Sequence, residues 1–245
     1  MIMNTLLALG KNDLRGIRRE SLFAFVLFAP LGWIAMVRFG TPAAAAMTED
    51  RYGLDLAPYY PVILTGFLLL TSPVVIGGLG AFLVLDERDG GTIAALRVSP
   101  ARMSTYLGYR AITVVVVTAL YVIITLPASG LLPLDQWPAL IPVGLLAGLS
   151  GVVISLGLLA FARNKVEGLA GIRAIGIVVA GLPLIPYFLG PEWQYPFWLL
   201  PPYWPAKAYW LISTGDAWWP YLIGGVIYHV PLIVLLYRRF VRSLG

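Results

Sequence analysis

The chain has 245 residues, of which 59% are hydrophobic and 12% are charged, against roughly 45–50% and 25% in an ordinary soluble domain. Its mean hydropathy is +0.84, and its 17 Lys and Arg and 12 Asp and Glu are too few to cover a soluble globule of this length. This composition excludes a soluble enzyme, a nucleic-acid-binding domain and a disordered tail, and it predicts an integral membrane protein. Cys is absent, which excludes a disulfide, a thiolate metal site and a catalytic thiol.

The chain begins with a basic amphipathic segment, residues 1–20. Apolar residues from Met3 to Ile17 recur at helical spacing on one face, and Lys11 and Arg15 fall on the other face. A helix with this pattern lies flat at a membrane surface. We therefore expect an interfacial helix here, and a plain topological anchor is an equally good interpretation.

Six uncharged apolar runs follow, each close to the ~20 residues that a helix needs to cross a hydrocarbon core about 30 Å thick. These predicted spans cover residues 21–37, 61–85, 111–134, 139–162, 174–191 and 217–237. The third and fourth are separated only by Asp135–Pro138, which predicts a tight hairpin, and Gly and Pro interrupt the fifth. The Ala43–Ala46 run could serve as a signal-peptide cleavage site. We expect the first span to be retained, because it is long and follows basic residues.

Lys and Arg are distributed unevenly between the alternate loops of this six-span arrangement. Fourteen lie before the first span, in the second and fourth loops and in the tail, whereas the other loops hold only Arg38, Arg51 and Lys207. Because cytoplasmic loops carry the excess of Lys and Arg, both termini are expected in the cytoplasm. The stretches between spans leave no room for a folded soluble domain, so any catalytic soluble module must be a separate chain.

The second loop, residues 86–110, combines several signals. Alternating charges end the second span, Gly90-Gly91 permits a sharp change of direction, and Ser99-Pro100 is typical of a cap and first-turn proline that begin a new helix. A short helix lying across the membrane surface between these points would be a docking element. A solvated loop that only connects two helices is the other interpretation.

The segment 192–212 between the last two spans is rich in Pro, Trp and Tyr. Five prolines from Pro191 to Pro205 forbid one straight helix, and Trp and Tyr concentrate at the headgroup level of membranes. We predict short re-entrant helices that dip into the outer leaflet and return. An aromatic belt with no other role is the alternative.

Polar groups inside the predicted spans are few. His229 is the single His of the chain, and no Asp or Glu lies within any predicted span. A proton relay would require carboxylate partners in the bilayer, so we expect a neutral His229 that bonds across helices or lines a pathway. Together with His229, several hydroxyl groups could line a mildly polar route. Such a route suits amphipathic cargo better than highly charged cargo. These hydroxyl groups belong to Thr65, Thr71, Ser72, Thr118, Tyr121 and Thr125.

Small residues recur on one face of the fourth span and permit the close approach of another helix. We favour packing within the subunit over a dimer seam for this face. Its members are Gly144, Gly148, Gly151 and Ser155.

Together these features resemble the membrane (permease) subunit of ABC type-2 family exporters. The resemblance covers nearly the whole chain and is most specific in the second loop, where the family has a Glu-Arg turn, Gly-Thr, an apolar helix and Ser-Pro. This chain departs from the family pattern at Ala94, where Glu is common. The Leu200–Trp204 stretch also looks like the family's segment before the last span. The residues that the resemblance implies as the ATPase-coupling interface are Glu87, Arg88, Gly91, Thr92, Ile93, Leu96, Ser99 and Pro100.

The resemblance implies a transport subunit of a prokaryotic cytoplasmic membrane, surrounded by membrane lipids. Two such subunits, alike or paired with a paralogue, would enclose the pathway, and two separate ATPase subunits would bind ATP and Mg²⁺ and drive export of drug, antibiotic or lipid-like molecules. The sequence contains no Gly-x-x-x-x-Gly-Lys-Ser/Thr phosphate-binding loop, so no cofactor is expected on this chain.

Asp86-x-x-Asp89-Gly90 resembles the start of the metal-binding motif of CDP-alcohol phosphatidyltransferases, but the later carboxylates of that motif are absent, because the next Asp is Asp135. A membrane module that does not use ATP, such as a scaffold or a lipid-modifying enzyme, remains the alternative function.

Overall fold

The structure is a computed structural model that describes residues 30–93 and 103–243, except for the side chain of Ile177. All regular secondary structure in these residues is helical, which confirms the predicted all-α class. The predicted interfacial helix 1–20, most of the first span and Leu96, Ser99 and Pro100 lie outside the described residues. The helices are α1 (30–52), α2 (Ala57–Asp89), α3 (Met103–Ala128), α4 (Leu134–Phe161), α5 (Lys165–Phe188), α6 (Tyr203–Thr214) and α7 (Trp219–Ser243).

Within the described residues, five helices are long and apolar enough to cross a membrane, namely α2, α3, α4, α5 and α7. The regular α-helical part of α4, Leu140–Phe161, differs by one residue at each end from the predicted run. The other runs have different ends, and local chemistry explains where each helix begins or stops.

The third run was predicted to reach residue 134, but α3 ends at Ala128. Gly130 follows with a φ of +73°, a left-handed conformation that ends helices. The hydroxyl of Ser129 donates to the carbonyl of Leu126 at 2.5 Å and accepts from the amide of Leu131 at 3.2 Å. The predicted hairpin link Asp135–Pro138 is therefore itself part of a 3₁₀ turn that opens α4.

The fifth run was predicted to begin at residue 174, but α5 begins at Lys165. The side chain of Asn164 accepts a hydrogen bond from the amide of Glu167 at 2.9 Å, and Glu167 accepts one from the amide of Arg163 at 2.8 Å. This reciprocal cap satisfies free amides of the first turn and starts a helix across a charged stretch. Arg173, predicted in a loop, therefore lies on α5. The last part of α5, Leu182–Phe188, is a 3₁₀ helix.

The first predicted span was expected to end at residue 37, but α1 continues to Tyr52. It includes a π-helical turn at Met36–Gly40, and α2 includes a second one at Thr65–Leu69. Each π turn accommodates one extra residue within an otherwise α-helical segment.

The helix α4 occupies the centre of the bundle. Its most extensive contacts are with α3, α2 and α7, and 78% of its most apolar stretch is buried, against 12% for α5 and 11% for α7. A single helix that is apolar all round is suited to such a central position. The outer faces of α5 and α7 are left apolar and exposed.

The segment between α5 and α7 is held together by buried polar contacts. The side-chain amide of Gln194 donates to the carbonyls of Pro186 at 3.0 Å and Leu189 at 2.9 Å, and its oxygen accepts from the hydroxyl of Tyr203 at 3.2 Å. Trp204 donates to the carbonyl of Trp198 at 3.1 Å. These bonds replace the backbone ladder that the prolines interrupt and place α6 against α4 and α7.

Candidate functional site

A buried ion pair joins the end of α2 to α3. The guanidinium of Arg110 lies 2.7 Å from Oε1 of Glu87, and the hydroxyl of Tyr106 donates to Oε2 of the same carboxylate. Arg110 also donates to the Tyr106 oxygen at 3.3 Å. The side chains of Arg110 and Glu87 are only 7% and 18% exposed. Glu87, predicted at the coupling interface, is therefore engaged within the chain.

A second contact joins the end of α2 to the start of α5. The ammonium group of Lys165 lies 2.9 Å from Oδ1 of Asp86, and its backbone amide donates to Asp89 at 3.2 Å. Both side chains of the ion pair are partly exposed to solvent, at 34% and 49%. The charges that end α2 thus hold three helices together before the chain turns into the second loop.

The second loop leaves this charged end at Gly91, whose φ is +76°. Thr92 is exposed and Arg88 is partly exposed, whereas Ile93 is 4% exposed and packs into the core. Of the predicted coupling residues that the structure describes, Arg88, Gly91 and Thr92 present accessible groups, and Glu87 and Ile93 anchor the loop.

Three of the predicted pathway residues meet at one small pocket between α1, α2 and α3. The hydroxyls of Thr71 and Ser72 donate to backbone carbonyls of their own helix, each at 2.6 Å. The hydroxyl of Thr125 is buried and has no hydrogen-bond partner within the described part of the chain. Trp33 and Phe67 are among the residues that line the rest of the pocket.

The other predicted pathway residues lie elsewhere in the bundle. Thr65 is fully buried, accepts from the indole of Trp210 at 2.8 Å and donates to the carbonyl of Pro61 at 2.7 Å. Thr118 is also fully buried, near Gly151, and Tyr121 is partly buried beside the core. The structure therefore does not bring all of the hydroxyl groups to a single channel.

His229 is fully buried between α7 and α4. Its Nδ1 lies 2.7 Å from the carbonyl of Gly225, and its Nε2 lies 2.8 Å from the hydroxyl of Ser150. Because a carbonyl can only accept, Nδ1 must carry the proton, and Nε2 then accepts from Ser150. A neutral imidazole satisfies both partners, and His229 links α7 to α4 through Ser150.

The small residues of α4 face neighbouring helices of the same chain. A Cβ atom on Gly144 would lie 3.1 Å from the backbone of Ala119, and one on Gly148 would lie 2.7 Å from the backbone of Val115. Gly151 borders α2 and α3, and the Ser155 hydroxyl lies beside Gly80 of α2. Glycine at these positions allows α4 to approach both helices at backbone distance.

Sequence reasoning missed the partners of Glu87. Tyr106 and Arg110 are four residues apart, which places them on one face of a helix, and this spacing could have marked them as a paired site. The described residues contain no group of three His, Asp and Glu side chains placed to hold a metal ion.

The long apolar helices and the charged helix ends define a multi-pass membrane protein. A family model described as "Fluoroquinolones export permease protein Rv2686c-like" matches residues 13–237, and the chain belongs to this family. The predicted membership of a permease family is thereby confirmed, in agreement with the resemblance to the permease subunit of an ABC exporter.

Two curated relatives come from Mycobacterium tuberculosis. They are the fluoroquinolones export permease protein Rv2686c of strain ATCC 25618 / H37Rv and the fluoroquinolones export permease protein MT2760 of strain CDC 1551 / Oshkosh. Each is 51% identical to this chain over 235 residues, which cover 96% of this chain and 93% of the relative.

Proposed function

We propose that this chain is the permease subunit of an ATP-driven exporter that moves hydrophobic or amphipathic compounds out across the cytoplasmic membrane. The observation that carries the proposal is 51% identity, over 96% of the chain, to two proteins named fluoroquinolones export permeases. Fluoroquinolones are accordingly the first substrates to test.

Energy comes from a separate ATPase, because this sequence has no phosphate-binding loop of its own. The ATPase docks on the second loop, predicted at residues 86–110, of which residues 90–102 lie between the end of α2 and the start of α3. The Glu87–Arg110 pair and the Asp86–Lys165 pair support this assignment, since they fix the point where the loop leaves the bundle. A force on the loop is then passed to α2, α3 and α5 together.

In this proposal the chain has six spans with both termini in the cytoplasm, a basic interfacial helix at residues 1–20 and a re-entrant segment at residues 192–212. The bias of Lys and Arg between alternate loops supports this topology. Two copies, or one copy and a paralogue, enclose the pathway. The hydroxyl-lined pocket at Thr71, Ser72 and Thr125 borders that pathway.

The experiment is ATP-dependent uptake of a fluorescent fluoroquinolone into inverted membrane vesicles that contain this chain with and without its proposed partner ATPase. We expect uptake only when both proteins are present. Gly91→Pro should abolish it, because proline cannot adopt a positive φ and cannot supply the amide that Gly91 donates to Arg88 at 3.1 Å.

Gly53→Pro is the matched control. Gly53 has a φ of +63° and donates its amide to Glu49 at 2.9 Å, but it lies in the loop between α1 and α2. The control should retain uptake. If Gly91→Pro transports normally and no ATPase co-purifies with the chain, ATP coupling through this loop is wrong and a membrane module that does not use ATP becomes the better account.

A further inference from the structure

Arginine side chains surround a polar pocket where α2, α4 and α7 end together. Arg88 comes from α2, Arg163 follows α4, and Arg239 and Ser243 come from the last turns of α7. The backbone at the end of α4 forms the rest of the wall. The fourteen Lys and Arg that predict orientation include all three of these arginines, so this end of the bundle is expected at the cytoplasmic face.

An apolar groove adjoins the polar pocket. Phe161, Leu235 and Leu236 line it, and it shares Phe161 and Arg239 with the pocket. The guanidinium carbon of Arg239 lies 4.4 Å from the centre of the Phe161 ring, a distance typical of a cation–π contact. Phe161 is 69% exposed and Leu235 is 63% exposed. The polar pocket, called the recess below, is therefore cationic and continues directly into an exposed apolar surface.

The arginine charges of this recess are not neutralised within the described part of the chain. The ion pairs found there, Arg110 with Glu87 and Lys165 with Asp86, use other groups. The neighbouring carboxylate of Glu167 accepts from the backbone amide of Arg163 at 2.8 Å and so caps α5. The recess thus offers several guanidinium groups to an anion from outside.

We propose that the recess and the groove form a binding site for one anionic phospholipid. The phosphate would bind Arg163 and Arg239, because a guanidinium group can donate two hydrogen bonds to phosphate oxygens. Arg88, which belongs to the predicted coupling interface, borders the same pocket. An acyl chain would lie along Phe161 and Leu235, on the outer face of α7 that the fold leaves exposed. Basic pockets between helices at the cytoplasmic side are suited to anionic headgroups.

A lipid fits these observations better than an acidic protein surface does. An acidic side chain could bind the arginines, but the groove also has an apolar part. Phe161, the last residue of α4, and Leu235 and Leu236 of α7 form this part beside Arg238 and Arg242, and both helices are long and apolar enough to cross the membrane. The apolar part of the groove therefore lies within reach of acyl chains rather than of a soluble partner. The proposal does not depend on the transport substrate or on an ATPase.

The test measures thermal stabilisation of the purified full-length protein by added dioleoylphosphatidylglycerol, with dioleoylphosphatidylcholine as the zwitterionic reference. We expect stabilisation by the anionic lipid alone. Arg239→Gln and Arg163→Gln should each weaken its apparent affinity by roughly tenfold, the effect of losing a charge-assisted hydrogen bond. Arg173→Gln is the matched control, because Arg173 is an exposed arginine of α5 outside the recess.

Native mass spectrometry of the wild-type protein provides a measurement that does not depend on how well the variants fold. In this measurement the wild-type protein should retain one phosphatidylglycerol in preference to phosphatidylcholine. Equal binding of the two lipids, or equal losses in Arg239→Gln and Arg173→Gln, would overturn the proposal. Glycerol 3-phosphate that stabilises as well as the lipid at the same concentration would also overturn it, because the groove would then contribute nothing.

Discussion

Glu87 and Arg110 stabilise each other in a poorly solvated position, so the loss of one leaves the other without a partner. Glu87→Ala should lower stability by about 3 kcal/mol, because Arg110 would keep its charge in a buried site. Asp86→Ala is the control, since the Asp86–Lys165 pair is partly exposed and should be worth under about 1 kcal/mol. Thermal midpoints of the purified proteins measure both effects.

A double-mutant cycle separates the interaction energy of the Glu87–Arg110 pair from the other effects of each substitution. Glu87→Ala/Arg110→Ala should lose less stability than the two single variants added together, because neither charge is then stranded. Additive losses would show that the two side chains do not depend on each other.

His229 provides a second test at the scale of one residue. Its contact with the Gly225 carbonyl requires a proton on Nδ1, and we expect a neutral ring whose Nε2 accepts from Ser150. Because it is the only His in the chain, ¹⁵N labelling of histidine in a protein without a His tag should give one protonated and one unprotonated ring nitrogen. Ser150→Ala should change the unprotonated signal and leave the Gly225 bond in place. Two protonated nitrogens at neutral pH would contradict this tautomer.

The packing of α4 against α3 makes a prediction at the scale of an element. Gly148→Ala would place its Cβ 2.7 Å from backbone atoms of Val115, where no side chain can move aside, and should cost about 1–3 kcal/mol. Gly157→Ala lies on the same helix with nothing within 4 Å of the new Cβ. It should be neutral or slightly stabilising, because alanine favours a helix. Equal thermal midpoints for the two variants would refute this packing.

The ends of a helix could be predicted from the sequence where hydropathy alone determines them. The α-helical part of α4 lies within one residue of its predicted run because no side-chain cap starts the helix elsewhere, and Pro142 falls in the first turn, where proline is tolerated. The start of α5 was wrong by nine residues because the Asn164–Glu167 cap begins a helix in a charged stretch. Hydropathy cannot detect this cap, but the Asn-x-x-Glu spacing can.

The sequence allowed the charged and hydroxyl residues of the candidate site to be named, but not which of them contact each other. The charges that end α2 were recognised, yet their partners Arg110 and Lys165 are 23 and 79 residues away, and only the packing of three helices brings them together. Thr71, Ser72 and Thr125 were assigned to one polar route, and they do line one pocket. Thr65 was assigned to the same route but bonds to Trp210 of α6 instead.

The topology of the whole molecule is open to direct measurement because the chain lacks Cys. Single cysteines at exposed positions will react with a membrane-impermeant thiol reagent only from the side that they face. Asp55→Cys and Asp135→Cys should be labelled in intact cells, whereas Gly90→Cys and Ser243→Cys should require permeabilised cells. Labelling of all four in intact cells, or the reverse pattern, would contradict the arrangement with cytoplasmic termini.

The π turn at Thr65–Leu69 divides α2 into two lengths whose side chains are out of phase. One residue of an α-helix corresponds to a rotation of about 100°, so a regular α-helical turn in place of the π turn would rotate one length of α2 against the other by that angle. Thr65, the first residue of the π turn, accepts a hydrogen bond from Trp210 of α6, and Glu87 binds the length of α2 that follows the turn to α3. A change of this π turn to a regular α-helical turn would therefore reorient the point at which the second loop leaves α2.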